Sequence, residues 1–145
     1  VQLLRKKGMS VHAAEIIAKT GWTTDELMAG IEKTTFSQSY DIVSLLIGVN
    51  NQFRGKDPSA YEQEFEKLLN KAIAFAGGNK QHVFVLSIPD WGATPFAASR
   101  DRVKIGKEID LFNAINRKIT EAAGIDINSD GLVDDINVDS SAFAF

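Results

Sequence analysis

Two adjacent asparagines stand where side-chain amides could meet a ligand. Asn50 and Asn51 follow the apolar run DIVSLLIG at residues 41–48, which is rich in β-branched and aliphatic residues and is typical of a buried strand. A carboxamide donates and accepts hydrogen bonds without titrating, which suits it to binding polar groups. The alternative is a strand-to-loop turn, because asparagine bonds its own backbone and tolerates positive φ. These two residues alone leave both interpretations open.

A second group of oxygen-bearing side chains lies near the carboxyl terminus. Its members alternate as in the first half of a calcium loop, with a glycine at the bend: Asp126, Asn128, Asp130, Gly131 and Asp134. The twelfth position of the loop is Asn137 instead of the bidentate glutamate, so the pattern resembles short dockerin-type or thrombospondin-type calcium loops more than an EF-hand. The alternative is an acidic, turn-rich, solvated terminus. Apart from calcium at this place, the sequence predicts no cofactor.

Three short apolar runs predict strands that would place the asparagines at one edge of a sheet. They are EIIAKTGW at residues 15–22, DIVSLLIG at 41–48 and HVFVLSIPD at 82–90. The continuous apolar character of residues 41–48 indicates a central parallel strand covered on both faces. In parallel sheets a ligand lies beyond the carboxyl ends of the strands. The loops expected there comprise residues 20–22, 48–54 and 90–96.

Helical patterns separate the predicted strands. Residues 1–7 have the apolar and basic pattern of a helix end, and Thr23 with Glu26 forms a capping box that opens a helix to about Lys33. Two longer helices are predicted from apolar residues at helical spacing, one from Pro58 to about residue 76 and one through residues 105–119, each followed by glycine. The βα order predicts an α/β fold with a parallel sheet flanked by helices.

Composition limits the classes of protein. The 145 residues suit one domain, and 44% hydrophobic and 24% charged residues with a net charge of -3 indicate an ordinary globular chain without the basic surface that nucleic acid requires. No apolar stretch approaches the ~18 residues that span a bilayer, so no membrane partner is predicted. The absence of cysteine excludes disulfides, thiolate zinc sites and a cysteine nucleophile, but it does not fix the compartment.

Three strings in this order resemble the SGNH hydrolases, the GDSL-type esterases and lipases. They are KTGWTTDEL, YDIVSLLIGVNNQFRG and VFVLSIPDWGATPFA, and the most specific part is Gly48-Val49-Asn50-Asn51 after a buried strand. The resemblance covers residues 1–124 and leaves residues 125–145 as a divergent acidic tail. It implies a flavodoxin-like three-layer α/β/α sandwich and hydrolysis of a small ester or acetyl group by a serine esterase.

The resemblance also implies roles for individual residues. It places the oxyanion donors of the family at the Asn50 side chain and at the Gly21 backbone N–H. Asn51 stands where many members carry aspartate. The third loop, with Trp91, Thr94, Pro95 and Phe96, would line an acyl or alcohol pocket together with Asn51. The alternative for this loop is a connection whose aromatic residues cap the core.

Two blocks of the family pattern are not found in this sequence. No Gly-Asp-Ser string occurs, and the only histidines, His12 and His82, do not stand in an Asp-x-x-His motif near the carboxyl terminus. The sheet is expected to lack the family's first strand as well, because that strand would precede Val1. The chain is therefore expected to be a truncated fragment or a rearranged sheet, with unpaired strand edges through which it could oligomerise. The alternatives to an esterase are a noncatalytic ligand- or calcium-binding module and an inactive remnant.

Overall fold

The computed structural model describes residues 2–36 and 39–125. Over these residues the helices and strands occur in the following order: α1 Gln2–Lys6, α2 Thr24–Glu32, β1 Val43–Leu45, α3 Val49–Phe53, α4 Pro58–Phe75, β2 Val83–Val85 and α5 Arg102–Ala122. Short 3₁₀ turns at Lys80–His82, Trp91–Ala93 and Pro95–Ala97 lie on either side of β2. None of the helices in this part of the chain combines the length and apolarity needed to cross a membrane.

The helix boundaries predicted from capping residues are confirmed. The Thr23 N–H donates to Glu26 Oε2 at 2.9 Å, which closes the capping box at the start of α2. The Asp57 carboxylate caps α4 by accepting from the Ser59 N–H at 2.9 Å, and proline occupies the first turn. Asp101, which is not among the predicted caps, caps α5 by accepting from the Lys104 N–H at 3.0 Å. Local side-chain chemistry therefore defines where these helices begin.

The two strands form a parallel pair. Val43 is opposite Val83, Ser44 opposite Phe84 and Leu45 opposite Val85. The chain passes from β1 to β2 through α3 and α4, a βαβ connection of the kind that parallel strands require. The predicted α/β class is thereby confirmed.

The core lies between the inner face of this sheet and the two long helices, α4 and α5. Tyr61 and Phe65 of α4 are fully buried, and the ring of Tyr61 lies 4.6 Å from that of Phe112 on α5. Leu45 and Val83 contribute the inner face of the strands. Burial of these aromatic and aliphatic groups is the main source of stability for this pair of layers.

The outer face of the sheet remains exposed in the described part of the chain. Ile42, Leu46 and Phe84 keep 62%, 51% and 45% of their surface exposed. The prediction that residues 41–48 are covered on both faces is therefore wrong for these residues. The residues are apolar as the sequence shows, but α4 and α5 cover only one of the two faces of the strand.

The strand predicted at residues 15–22 does not form. These residues have no regular structure, and Ile16 is 81% exposed. A strand needs a neighbour for its backbone N–H and C=O groups. Within residues 2–36 and 39–125 only β1 and β2 pair with each other, so the backbone of residues 15–22 has no strand with which to form hydrogen bonds.

Candidate active site

A tight turn at Gly48 joins β1 to α3. Gly48 has a φ of 125°, and a Cβ at this position would lie 2.5 Å from both the Tyr61 hydroxyl oxygen and Ile88 Cδ1. Only glycine fits here, because the backbone is in a region that L side chains avoid and the space is already filled. The turn sends residues 49–53 into a short helix instead of the loop that the sequence predicts.

Asn50 lies in this helix and reaches the first loop. Its Nδ2 donates to the Trp22 carbonyl at 3.0 Å, and the residue is 9% exposed. One turn further along, Arg54 Nη2 donates to the Gly21 carbonyl at 2.6 Å. The structure thus brings together Asn50 and Gly21, the two residues that the family resemblance pairs as donors.

Gly21 adopts a backbone conformation that leaves its N–H available. Its φ of 86° lies in the left-handed region, which glycine enters without steric cost. The next residue, Trp22, donates its N–H to the Lys19 carbonyl at 3.2 Å, whereas the Gly21 N–H has no protein acceptor among residues 2–36 and 39–125. A free backbone donor next to the Asn50 amide can bind an oxygen atom of a ligand.

Asn51 occupies a structural position in this arrangement. It is fully buried, its Oδ1 accepts from the Thr24 N–H at 3.1 Å, and its Nδ2 donates to Thr24 Oγ1 at 2.6 Å. Thr24 Oγ1 in turn donates to Glu64 of α4. Both ends of the amide are therefore used to hold the start of α2 against α3. The predicted contact of Asn51 with substrate has no support from this geometry.

The third loop is tied to α3 through Gln52, a residue that the sequence patterns do not single out. Gln52 Oε1 accepts from Trp91 Nε1 at 2.7 Å, and its Nε2 donates to Glu108 Oε2 at 2.7 Å. Thr94 Oγ1 donates to the Trp91 carbonyl at 2.7 Å. The two predicted loop residues are therefore bound to each other and, through Gln52, to α3. The one feature of the sequence that could have pointed to Gln52 is its place in a run of three amide side chains at residues 50–52. In the structure each of these amides contacts a different element.

The charged groups at the start of α2 are paired. Lys56 Nζ lies 2.6 Å from Asp25 Oδ1, and this hydrogen bond, assisted by one from Thr23, lowers the pKa of Asp25 to about 2. The Thr23 backbone N–H and hydroxyl likewise hold the pKa of Glu26 below its ordinary value. A general base at neutral pH needs a pKa near the working pH. These carboxylates therefore stabilise the helix start and do not have the properties of a catalytic base.

The two histidines lie outside the loops that contain the candidate site. His12 is exposed, and His82 precedes β2 at its amino end, away from the loops that follow the strands. In the described part of the chain no group of three or more His, Cys, Asp or Glu residues is arranged to hold a metal ion. The four predicted calcium ligands fall outside the described residues: Asp126, Asn128, Asp130 and Asp134.

Comparison with known proteins identifies the family. The profile of the GDSL-like Lipase/Acylhydrolase family matches residues 1–139. No curated protein and no solved structure matches the chain significantly. The match extends over nearly the whole sequence and includes both the Gly48 turn and the third loop. The chain therefore belongs to the GDSL-like lipase/acylhydrolase family.

Proposed function

We propose that this chain carries the oxyanion-binding part of a serine esterase that acts on a small ester or acetyl group. The observation that supports this most strongly is the position of Asn50, which α3 holds beside Gly21 in the first loop. The family supports a general acylhydrolase domain. We also propose that the fold is the three-layer, flavodoxin-like sandwich, because the sheet is parallel and its outer apolar face is open to a further layer.

Attack on an ester carbonyl places negative charge on its oxygen, and neutral donors fixed in advance can stabilise that charge. A primary amide has two N–H groups. One N–H of Asn50 binds the Trp22 carbonyl and fixes the amide plane, so the other N–H can bind the oxyanion together with the Gly21 N–H. Each such donor contributes about 3 to 4 kcal/mol to the transition state.

Hydrolysis also requires a nucleophile and a base. The family resemblance assigns these roles to a Gly-Asp-Ser serine and an Asp-x-x-His histidine, and neither string occurs in the 145 residues. The proposal therefore assigns only the oxyanion donors, Gly21 and Asn50, and gives no residue of this sequence the role of nucleophile or base.

Replacement of Asn50 tests the proposed function. Where the wild-type chain turns over p-nitrophenyl acetate, we expect Asn50→Ala to lower that turnover by about a hundredfold, because the transition state loses one donor. Asn79→Ala is the matched control, since Asn79 caps a 3₁₀ turn before β2 and lies outside the candidate site. Measurable turnover that is equal in the wild-type protein and Asn50→Ala would contradict the oxyanion role.

A noncatalytic binding module is the second candidate function. The observation in its favour is that the Asn50 amide already has an internal acceptor, the Trp22 carbonyl, and so stabilises the loop as well. A protein of this kind would show no esterase turnover at all. Absence of turnover in the wild-type protein, with correct folding shown by circular dichroism, would favour the module.

Calcium binding by the carboxyl-terminal segment remains a proposal from the sequence. The alternating oxygen-bearing residues, Asp130 among them, suit a calcium ion. If they bind calcium, adding the ion should raise the melting temperature, because a ligand bound to the folded state stabilises it. Asp130→Ala should remove that rise. An identical rise in the variant and the wild-type protein would exclude this site.

A further inference from the structure

A β-turn at residues 19–22 leads into the first loop. The Trp22 N–H donates to the Lys19 carbonyl at 3.2 Å and closes the turn, and the third residue of the turn, Gly21, has a φ of 86°. The second residue, Thr20, does not have a positive φ. A negative φ followed by a positive φ defines a type II turn, whereas both values are negative in a type I turn. The turn at residues 19–22 is therefore of type II.

The direction of the Gly21 N–H depends on this turn type. The N–H belongs to the peptide group between Thr20 and Gly21, which is the central peptide of the turn. Types I and II differ by a rotation of that peptide of roughly 180°, while the residues on either side keep their places. The N–H therefore points to opposite sides of the turn in the two types.

The hydrogen bonds around the turn do not oppose such a rotation. Arg54 Nη2 donates to the Gly21 carbonyl at 2.6 Å, and Asn50 Nδ2 donates to the Trp22 carbonyl at 3.0 Å. Both carbonyls lie beyond the central peptide and do not move when it rotates. The Thr20 carbonyl and the Gly21 N–H form no hydrogen bond with the protein within the described ranges, 2–36 and 39–125. The side chains of residues 50 and 54 thus hold the loop but leave this one peptide without a restraint.

Glycine is needed at position 21 for its backbone conformation and not for space. Beyond its chain neighbours, a Cβ added there would have only Arg54 Nη2 within 4 Å, at an ordinary contact distance of 3.6 Å. A residue with a Cβ is disfavoured at positive φ, because the Cβ comes too close to the backbone. Asparagine tolerates this conformation better than alanine does. The residue type at position 21 therefore sets the balance between the two turn types.

We propose that the Thr20–Gly21 peptide is a two-state element that presents the backbone donor of the candidate site in the type II turn and withdraws it in the type I turn. The use of this donor rests on the proposed function, whereas the two states follow from the turn itself. A ligand oxygen that accepts from the Gly21 N–H binds the type II state, so such a ligand shifts the turn toward type II.

Two substitutions that differ in their tolerance of positive φ test the proposal. We expect Gly21→Ala to shift the ratio of type II to type I turns toward type I by about five- to thirtyfold, because alanine is disfavoured in the left-handed region. Gly21→Asn is the matched control, since it adds a larger side chain but keeps the positive φ. The measurement is the nuclear Overhauser effect between the Thr20 Hα and the amide proton of residue 21. These protons are close together in a type II turn and farther apart in a type I turn.

The outcomes separate this inference from the proposed function. A strong effect in the wild-type protein and in Gly21→Asn, with a weak effect in Gly21→Ala, would support the two-state turn. A strong effect in all three proteins, equally weak effects in the two variants, or a weak effect in the wild-type protein would overturn it. None of these results depends on turnover, so the esterase assay of Asn50→Ala can fail while the turn behaves as expected. Amide spectra that agree outside the first loop establish that all three proteins are folded.

Discussion

Gly48→Ala is expected to lower the free energy of unfolding by roughly 3 to 5 kcal/mol, the sum of backbone strain and overpacking. The new Cβ would lie 2.5 Å from the Tyr61 hydroxyl and from Ile88 Cδ1. Tyr61 cannot retreat, because its ring is fully buried and its hydroxyl lies 2.7 Å from Asn116 Oδ1. Burial raises the pKa of Tyr61 well above its usual value, so the hydroxyl stays protonated and keeps its hydrogen bonds.

Gly55→Ala is the matched control for this substitution. Gly55 follows the same helix and has a φ of 65°, and a Cβ added there would meet no atom within 4 Å beyond its chain neighbours. Its replacement should cost about 1 kcal/mol from backbone strain alone. Urea unfolding followed by circular dichroism measures both variants. Equal losses at the two glycines would show that the close packing around Gly48 relaxes freely, contrary to the expectation.

Asn51→Leu is expected to destabilise the protein by about 3 to 4 kcal/mol, because it leaves buried polar groups without partners. Leucine has a similar volume but cannot accept from the Thr24 N–H or donate to Thr24 Oγ1. The unpaired N–H would lie at the first residue of α2, where no water reaches it. The free energy of unfolding in urea measures the loss.

Asn51→Asp separates hydrogen bonding from packing. A carboxylate keeps the acceptor for the Thr24 N–H, and its charge lies at the positive end of the α2 dipole. We expect this variant to lose less than half as much stability as Asn51→Leu. A larger loss for Asn51→Asp than for Asn51→Leu would show that burial of the charge outweighs the retained bond.

The parts of the fold that depend on local chemistry could be predicted from the sequence. Thr23 and Asp57 each mark a predicted helix start: the Thr23 N–H donates to the Glu26 carboxylate, and the Asp57 carboxylate accepts from the Ser59 N–H, so both signals lie within a few residues. Strand formation depends on a partner distant in the sequence. Residues 15–22 have an apolar pattern but no neighbouring strand in the described chain, and the pattern alone could not reveal that.

The candidate site could likewise be predicted only in part from the sequence. Family resemblance pairs Asn50 with Gly21, and the structure brings their segments together through α3. The role of Gln52 could not be predicted, because its two hydrogen-bond partners, Trp91 and Glu108, lie 39 and 56 residues away in the sequence. The hydrogen bonds of a side chain to distant elements leave no periodic pattern in the sequence. Trp91 and Thr94 stay predictions as substrate contacts.

The five residues of α3 determine where three other parts of the molecule sit. Asn50 holds the first loop, Asn51 holds α2, and Gln52 holds the third loop. Each residue of an α-helix turns the following side chain by about 100°. A substitution at one of these positions therefore disturbs the contacts of one side chain, whereas one added or deleted residue would turn every later amide away from its partner. Insertions and deletions have to be accommodated outside this helix.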